Sequence, residues 1–238
     1  MKESDDSQIK AILFDLDGTL IEIDLDLFIS NYLKLLAQSV AHIISPKKFI
    51  AKILKASKAV EENDGRKTNI EIYIDAFFPL EGYSYEEIKP FFDNFYEKNF
   101  SKLRQYTRRK PEARAVIQTA FDKGYVVVIA TTPILPLTAI EQRLEWAGVD
   151  DFPFRLITTI ENSRATKSLT NLYYYEQILN TIGYPAESCL MVGDEDKDMI
   201  AGQLGMQTFL ILNSNTEINQ NKIEPTYKGD LIDLLNLI

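Results

Sequence analysis

The sequence has few of the residues on which several kinds of catalysis depend. Its 238 residues include one cysteine, Cys189, and one histidine, His42. A single cysteine excludes a disulfide within the chain and a cysteine-based zinc cluster. His42 lies in a segment with helical spacing and is interpreted as an ordinary helix residue. A Ser-His-Asp or Cys-His mechanism would depend entirely on it.

Basic residues and long apolar runs are also scarce. Lysine and arginine total 26 against 35 aspartates and glutamates, a net charge of -9, which argues against a nucleic-acid or membrane-surface partner. No apolar run approaches the length that a bilayer span needs, and residues 1–6 are too polar for a secretory signal. The sequence therefore predicts a soluble, cytoplasmic protein, with no signal for an oligomeric state. An anionic substrate would need local positive charge, from a metal ion or a lysine.

What the chain does contain is an acidic motif directly behind an apolar segment. Residues 9–14 are nearly all apolar and lead to Asp15 and Asp17, followed by Gly18 and Thr19. Alternate residues of an extended segment face the same side, so the two carboxylates would share one site at the carboxyl end of a strand, where α/β sheets bind ligands. Carboxylates held that close repel each other, and Mg2+ is the cation that fits best, because it prefers oxygen ligands and shares them with phosphate. The alternative is an acidic turn that caps a helix.

The apolar pattern divides the chain into two kinds of segment. Four helices are predicted in the first part, at residues 25–44, 46–60, 70–78 and 84–100. The second part alternates between helices and short apolar strands. Its helices are predicted at residues 111–123, 136–147, 169–182, 198–204 and 230–238, and its strands at residues 125–130, 154–158, 189–192 and 207–212. Four of these helices end at a glycine just before an apolar run, which is typical of C-terminal caps.

The strands are almost continuously apolar, which indicates a parallel sheet that is covered on both faces. The predicted fold class is therefore α/β, a doubly wound, Rossmann-like parallel sheet with an inserted α-helical cap domain. Residues 1–20 and 105–238 would form the core, and residues 21–104 the cap. Because the insertion begins directly after Asp15 and Asp17, the helical block would lie over their site like a lid.

Two further polar positions lie next to predicted elements of the core. Thr131 and Thr132 follow an apolar strand, where a hydroxyl and backbone N–H groups would hold a phosphoryl oxygen. The alternative is a threonine that caps the next helix. Lys167 precedes the helix predicted from residue 169, where its charge would neutralise a transferring phosphoryl group. The alternative is a solvated lysine.

A second acidic cluster follows the strand predicted at residues 189–192. Gly193 and Asp194 stand at its tip, and Asp198 lies one helical turn further on. Four acids within residues 193–198 would also suit a solvated helix start, which the helix dipole favours. In a sheet whose first strand also ends in aspartates, a metal site shared by the two strand tips is the better explanation.

Together these motifs make the chain resemble the haloacid dehalogenase-like (HAD) hydrolase superfamily, from residue 9 to residue 212. The four motifs of the family are matched by residues 15–19, by Thr131, by Lys167, and by Gly193-Asp194 with Asp198. The helical insertion resembles the cap of the phosphoglycolate phosphatase and β-phosphoglucomutase-like branch. Two positions depart from the pattern, since Lys167 is followed by serine rather than proline, and Thr132 stands where the branch often has asparagine.

The resemblance implies a role for each residue of the first motif. Asp15 would be the nucleophile that forms an aspartyl-phosphate, and Asp17 would be the general acid and base. Dehalogenases of the family lack the second aspartate, so Asp17 favours phosphoryl transfer over carbon–halogen cleavage.

The resemblance also implies how a metal ion and a phosphoryl group would be held. Mg2+ would bind the Asp15 carboxylate, the Asp17 backbone carbonyl and Asp194, with Asp198 as the fourth acidic residue of the metal site. Thr131 and Lys167 would bind the phosphoryl oxygens, and Asp198 would also hold Lys167 in place.

The leading hypothesis is a magnesium-dependent phosphatase that acts on a small phosphorylated metabolite. One alternative is a phosphomutase of the same branch, which would return the phosphoryl group to a bound sugar. Another is a non-catalytic, receiver-like domain whose aspartate is only transiently phosphorylated. Arg66 and Lys67, at a glycine-containing turn of the predicted cap, are the candidate contacts to the rest of the substrate. The alternative there is an ordinary exposed turn.

Overall fold

Six parallel strands form the central sheet of the protein. The computed structural model describes residues 9–213 and 223–238, and the strands within these residues are β1 (Ala11–Phe14), β2 (Ile21–Ile23), β3 (Thr107–Arg109), β4 (Val126–Ile129), β5 (Leu156–Ile157), β6 (Cys189–Gly193), β7 (Gln207–Ile211) and β8 (Tyr227–Gly229). The order across the sheet is β5-β4-β1-β6-β7-β8, and every neighbouring pair is parallel. β1 therefore lies inside the sheet, with strand tips on both sides of its carboxyl end.

The helices fall into two groups. Between β2 and β3 lie α1 (Leu25–Ser39), α2 (Pro46–Glu61), α3 (Asn69–Phe77) and α4 (Tyr85–Lys98). After β3, β4, β5 and β6 come, in turn, α5 (Ala113–Asp122), α6 (Leu137–Ala147), α7 (Tyr173–Ile182) and the short α8 (Asp196–Met199). The second group follows the alternation of strand and helix that an α/β sheet requires.

The side chains of β1 show how the sheet is buried. Ile12 and Phe14 belong to one apolar core, Ala11 and Leu13 belong to a second, and all four are fully buried. The first core contains residues of α5, α6 and the inserted helices, and the second contains residues of α7. A strand covered on both faces has no position for a solvated side chain, which explains its continuous apolar run. The predicted fold class is confirmed.

Helix ends follow the chemistry that the sequence indicates. α6 and α7 end at Gly148 and Gly183, with φ of 74° and 76°, a conformation that a residue with a Cβ rarely adopts. α3 begins with a capping box, in which the Thr68 side chain accepts from the N–H of Glu71 and the Glu71 carboxylate accepts from the N–H of Thr68.

The inserted helices connect to the sheet through a two-stranded ladder. β2 and β3 are antiparallel, with Ile21 opposite Arg109, so the chain leaves and re-enters the sheet region side by side. Phe100 is fully buried next to α4, and its ring stacks on that of Trp146 in α6 with centroids 5.6 Å apart. The insertion is therefore packed against α6 as well as linked by its two crossings. The boundaries at residues 20–21 and 104–105 stay a prediction.

The structure corrects the predicted strands. The strand at residues 207–212 is not the last one, because β8 pairs with the outer side of β7. β2, β3 and β8 were not predicted, since segments of three residues are too short to show a period.

Several predicted helices are also corrected. α7 begins at Tyr173 rather than at residue 169, because Ser168 and Asn171 bond through their side chains to the N–H groups of Thr170 and Tyr173 and hold two local turns instead. Residues 198–204 are divided between α8 and a 3-10 turn at Ile200–Leu204, and the end of the chain forms a 3-10 turn at Leu231–Asn236. α1 ends before His42, which lies exposed in the following turn.

No membrane-spanning helix is found in residues 9–213 and 223–238, since none there is both long enough and apolar enough. Residues 1–8, which include the polar start of the sequence, lie outside the described residues.

Replacing Phe100 by alanine should lower the free energy of unfolding by about 3–5 kcal/mol, because it leaves a cavity among the rings of Phe28, Phe95 and Trp146. Denaturant unfolding measures the change. Ile29→Ala is the control, since Ile29 is 45% exposed and its loss should change the stability by no more than about 0.5 kcal/mol. Equal stabilities for the two variants would contradict the anchoring role of Phe100.

Candidate active site

The carboxyl ends of three neighbouring strands bring predicted site residues together. β1 is in register with β4 on one side and β6 on the other. Asp15 follows β1 directly, Thr131 lies two residues after β4, and Asp194 follows β6 directly. All three are buried, with exposed fractions of 7%, 2% and 7%. The three residues therefore lie at the carboxyl ends of neighbouring strands, at one edge of the sheet.

Lys167 joins the two acidic motifs. Its Nζ lies 2.6 Å from Oδ1 of Asp15 and 2.6 Å from Oδ1 of Asp198, and its side chain is buried. Burial alone would lower the pKa of Lys167, but the charges of Asp15 and Asp198 outweigh burial and hold this pKa well above its usual value. The lysine is therefore protonated at neutral pH and bonded to both carboxylates.

Three buried carboxylates lie close to one another at this point. Asp15, Asp194 and Asp198 each place an oxygen within 4.8 Å of the other two. Burial raises the pKa of Asp194 to about 6, and the charge of Asp15 adds to the shift. Burial also raises the pKa of Asp198, although Lys167 opposes the change. Acids that resist ionisation in this way are stabilised in their charged form by a cation.

Asp198 is engaged by the protein itself. Its Oδ1 accepts from Lys167, and its Oδ2 accepts from the N–H of Glu195 at 3.1 Å. Both oxygens thus hold other groups in place. Asp198 is better suited to fixing Lys167 than to binding a metal ion.

Asp194 has different partners. It accepts hydrogen bonds from two neutral donors, Thr19 Oγ1 at 3.4 Å and Asn213 Nδ2 at 3.1 Å, which orient the carboxylate and leave its charge in place. Together with Asp15 it offers the hard oxygen ligands that Mg2+ prefers. The chemistry of these two carboxylates therefore fits a magnesium ion.

Two glycines allow the acidic motifs to approach so closely. Gly18 has a φ of +76°, and a Cβ there would lie 2.0 Å from a carboxylate oxygen of Asp194. A Cβ on Gly193 would lie 2.2 Å from the carboxyl group of Asp198. Neither position has room for a side chain, because the carboxyl groups of Asp194 and Asp198 occupy the space that a Cβ would need. Only glycine therefore fits at residues 18 and 193.

Arg143 of α6 is a residue that the sequence did not indicate. Its side chain is 3% exposed, and its guanidinium forms an ion pair with the carboxylate of Asp17 through Nη2 and Oδ2. Burial lowers the pKa of Arg143 to about 10, so the side chain stays charged at neutral pH. The Nε of Arg143 and Oδ1 of Asp17 are both buried without a partner in the described structure. The ion pair therefore fixes the position of the Asp17 carboxylate.

Two more side chains support the first motif from outside it. Lys110 is buried and donates to the carbonyl oxygen of Gly18. Asn213 donates to the same carbonyl at 3.1 Å and to Asp194. Asn213 lies two residues after β7, as Thr131 lies two residues after β4, so a search for polar residues behind every predicted strand would have found it. No comparable signal marks Lys110.

The remaining predicted residues are Arg66, Lys67 and Thr132. The charge of Arg66 is paired with Asp64 and that of Lys67 with Asp75, and both pairs are exposed at the surface. The charges of Arg66 and Lys67 are thus paired with acids of the insertion, and their contact with a substrate stays a prediction. Thr132 is half-buried beside Thr131.

Comparison with known proteins decides the family. A family model described as haloacid dehalogenase-like hydrolase matches residues 9–205. The chain belongs to this family. It is therefore an enzyme of the hydrolase class, and the resemblance seen in the motifs is confirmed.

The relatives of this hydrolase include phosphatases. It is 27% identical over 209 residues to the pyrophosphatase PpaX of Halalkalibacterium halodurans, which covers 86% of this chain and 84% of that protein. A HAD phosphatase from Thermococcus onnurineus has the same fold, with a TM-score of 0.59, 19% identity and coverage of 96% and 97%. A predicted phosphoglycolate phosphatase from Haemophilus somnus 129pt matches with a TM-score of 0.56, 18% identity and coverage of 97% and 98%.

The variant Asp194→Asn should make the metal-free hydrolase more stable near neutral pH. Folding raises the pKa of Asp194 from 3.8 to about 6, so this carboxyl group favours the folded state below its unfolded pKa, and that contribution is lost as the pH rises through its folded pKa. Removing it should raise the free energy of unfolding by roughly 1–3 kcal/mol at about pH 7.5, with little difference at about pH 4.

Chemical unfolding in the presence of a chelator, at both pH values, measures this effect. Added Mg2+ should stabilise the original protein and leave the variant unchanged. A variant that is less stable than the original at neutral pH without metal would contradict the account of this carboxylate.

Proposed function

We propose that this hydrolase is a magnesium-dependent phosphatase that acts on a small phosphorylated metabolite through an aspartyl-phosphate on Asp15. The observation that supports it best is the buried contact between Asp15 and Lys167, 2.6 Å, within a cluster that also holds Asp194. A nucleophilic carboxylate, a fixed positive charge and an oxygen-rich cation site are the parts that phosphoryl transfer needs, since its catalysis consists mainly of positioning and charge stabilisation.

The Asp15 and Asp194 carboxylates, with the backbone carbonyl of Asp17, would hold Mg2+. When bound, the ion would reduce the repulsion between the Asp15 carboxylate and an anionic phosphate ester. The hydrogen bonds from the neutral donors Thr19 and Asn213 keep that carboxylate oriented for this purpose.

In the first step an oxygen of Asp15 attacks phosphorus, and the bond from phosphorus to the leaving oxygen breaks. Lys167 and Thr131 would bind the phosphoryl oxygens, since both are buried at the edge where Asp15 lies. Formation of the aspartyl-phosphate removes the charge of the Asp15 carboxylate, which frees one donor of Lys167 for a phosphoryl oxygen while Asp198 keeps the lysine in place. Water then attacks the phosphorus of the aspartyl-phosphate, which releases inorganic phosphate and restores the Asp15 carboxylate.

Asp17 would exchange protons with the leaving group and with the attacking water. Its pairing with Arg143 fixes the position of the carboxylate that would activate water in the second step. Protonation of the leaving oxygen in the first step requires that this contact loosen when substrate binds.

The space beside the cluster bears on the choice of substrate. A cleft of about 1990 Å³ is lined by Asp17, Gly18 and Asp194 at one side. Among the described residues around it, nine are acidic and three are basic, the last being Arg108, Lys110 and Lys197. Such a lining disfavours a leaving group that carries several negative charges. We therefore place a phosphate monoester with an uncharged or cationic remainder before inorganic pyrophosphate.

Pyrophosphate hydrolysis is the second candidate. It is favoured by the similarity of this chain to PpaX, a protein named as a pyrophosphatase, over most of the length of both chains. A screen of phosphorylated metabolites and pyrophosphate with Mg2+ present tests both candidates. Turnover that requires an added sugar bisphosphate would favour a phosphomutase instead. A stable phosphate on Asp15 without any turnover would favour a receiver-like domain.

Asp15→Asn should reduce phosphatase activity by at least about 10³-fold, because the amide is not a nucleophile. The fold should persist, since Lys167 keeps Asp198 as its partner. Release of inorganic phosphate from the best substrate of the screen measures the loss, and circular dichroism checks the fold. Chelation of Mg2+ should abolish the same activity reversibly. The control variant Asp151→Asn, which changes an exposed acid, should keep its activity. An Asp15→Asn variant with normal activity would rule out the nucleophile.

Arg143→Met should lower kcat/KM roughly 10–100-fold, because Asp17 loses the group that fixes its orientation. Thermal stability should fall as well, because the partly buried carboxylate of Asp17 loses its ionic partner, so the kinetics are compared per folded enzyme. Arg114→Met is the matched control, because it breaks the exposed pair with Asp151, whose two contacts are each 2.7 Å long. Equal kinetics for the two variants would show that Arg143 has no part in the reaction.

A further inference from the structure

Asn69 is a fully buried polar residue at the first position of α3, in the inserted helices. A buried primary amide needs partners for one acceptor and two donors. Its Oδ1 accepts from Asn63 Nδ2 at 2.8 Å, a residue of the same insertion. Its Nδ2 donates to two backbone carbonyls outside the insertion, those of Pro133 and Ala165, each at 3.1 Å.

These two carbonyls belong to the loops that carry the proposed phosphoryl-binding side chains. Pro133 lies two residues after Thr131, and Ala165 lies two residues before Lys167. The loops follow different strands and are far apart in the sequence. The amide of Asn69 is therefore a bridge between them, supplied by the helical insertion.

The start of α3 adds two backbone bonds at the same place. The N–H groups of Asn69 and Ile70 donate to the carbonyls of Ser163 and Ile160, at 2.7 and 2.9 Å. The first N–H groups of any helix have no partner within the helix. Here the loop before Lys167 supplies carbonyl acceptors for two of these N–H groups. Moving α3 away from this loop would therefore leave both the N–H groups and the carbonyls without partners.

We propose that Asn69 is a positioning residue for phosphoryl transfer, which couples docking of the inserted helices to the correct spacing of the Thr131 and Lys167 loops. The inference rests on the proposed function, since it assigns those loops to the phosphoryl group. Only a primary amide offers two donors on so short a side chain, and an aspartate would instead place a third acceptor against the two carbonyls.

The test compares Asn69→Ala with Thr68→Ala. Thr68 caps the same helix through its side chain, and its loss weakens α3 without removing the amide bridge. Both variants should lose thermal stability. Asn69→Ala should in addition weaken inhibition by orthovanadate, with Mg2+ present, and lower kcat/KM, each by about tenfold or more, because two hydrogen bonds that set the loop spacing are lost. Thr68→Ala should leave both quantities unchanged.

Hydrogen exchange separates this inference from the proposed function. The amides of Thr131, Thr132, Ala165 and Thr166 should exchange faster in Asn69→Ala than in Thr68→Ala, and the amides of β1 should not. If the unaltered protein neither hydrolyses phosphate esters nor binds vanadate, the proposed function fails, while the exchange rates still support or refute the bridge. If the protein is active and the two variants agree in vanadate inhibition and exchange, the role of Asn69 is refuted. Should Asn69→Ala not fold, Asn69→Ser, whose hydroxyl is too short to reach both carbonyls, replaces it with the same expected outcomes.

Discussion

The ion pairs of Lys167 with Asp15 and Asp198 are the interaction on which the site depends. They connect the tip of β1 with the residues that follow β6, and all three side chains are buried. A lysine buried alone would lose its charge, and three buried aspartates without it would repel one another. The lysine and the acids therefore stabilise one another, and the site retains a net negative charge that suits a divalent cation.

The inserted helices contact the sheet region that carries this cluster at three places. They are linked by the ladder of β2 and β3, packed through Phe100 on Trp146, and bonded through Asn69 to the loops at Pro133 and Ala165. α6, which carries Trp146, also carries Arg143, whose guanidinium pairs with Asp17. The same helix thus supports the insertion and contacts the proposed general acid and base. The contacts of α6 therefore hold both the insertion, through Trp146, and the carboxylate of Asp17, through Arg143.

Much of the fold and the centre of the site could be predicted from the sequence, because the signals were local. An apolar strand followed by a polar tip placed Asp15, Thr131 and Asp194 together, since parallel strands end at one edge. Arg143 could not be predicted in this way, because it lies within a helix and its partner Asp17 is 126 positions away. The two oxygens of Asp198 show why its role was ambiguous, since only their partners distinguish a metal ligand from a residue that holds Lys167. β8 could not be predicted, because a strand of three residues is too short to show an alternating apolar pattern.

The most direct measurement is a crystal structure of the protein with Mg2+ and beryllofluoride, a mimic of the phosphoryl group. The account predicts the mimic on Asp15, with Mg2+ at about 2.1 Å from carboxylate oxygens of Asp15 and Asp194, and Asp198 still bonded to Lys167. A metal ion held by Asp198 in place of Asp194, or a mimic bound away from Asp15, would contradict it.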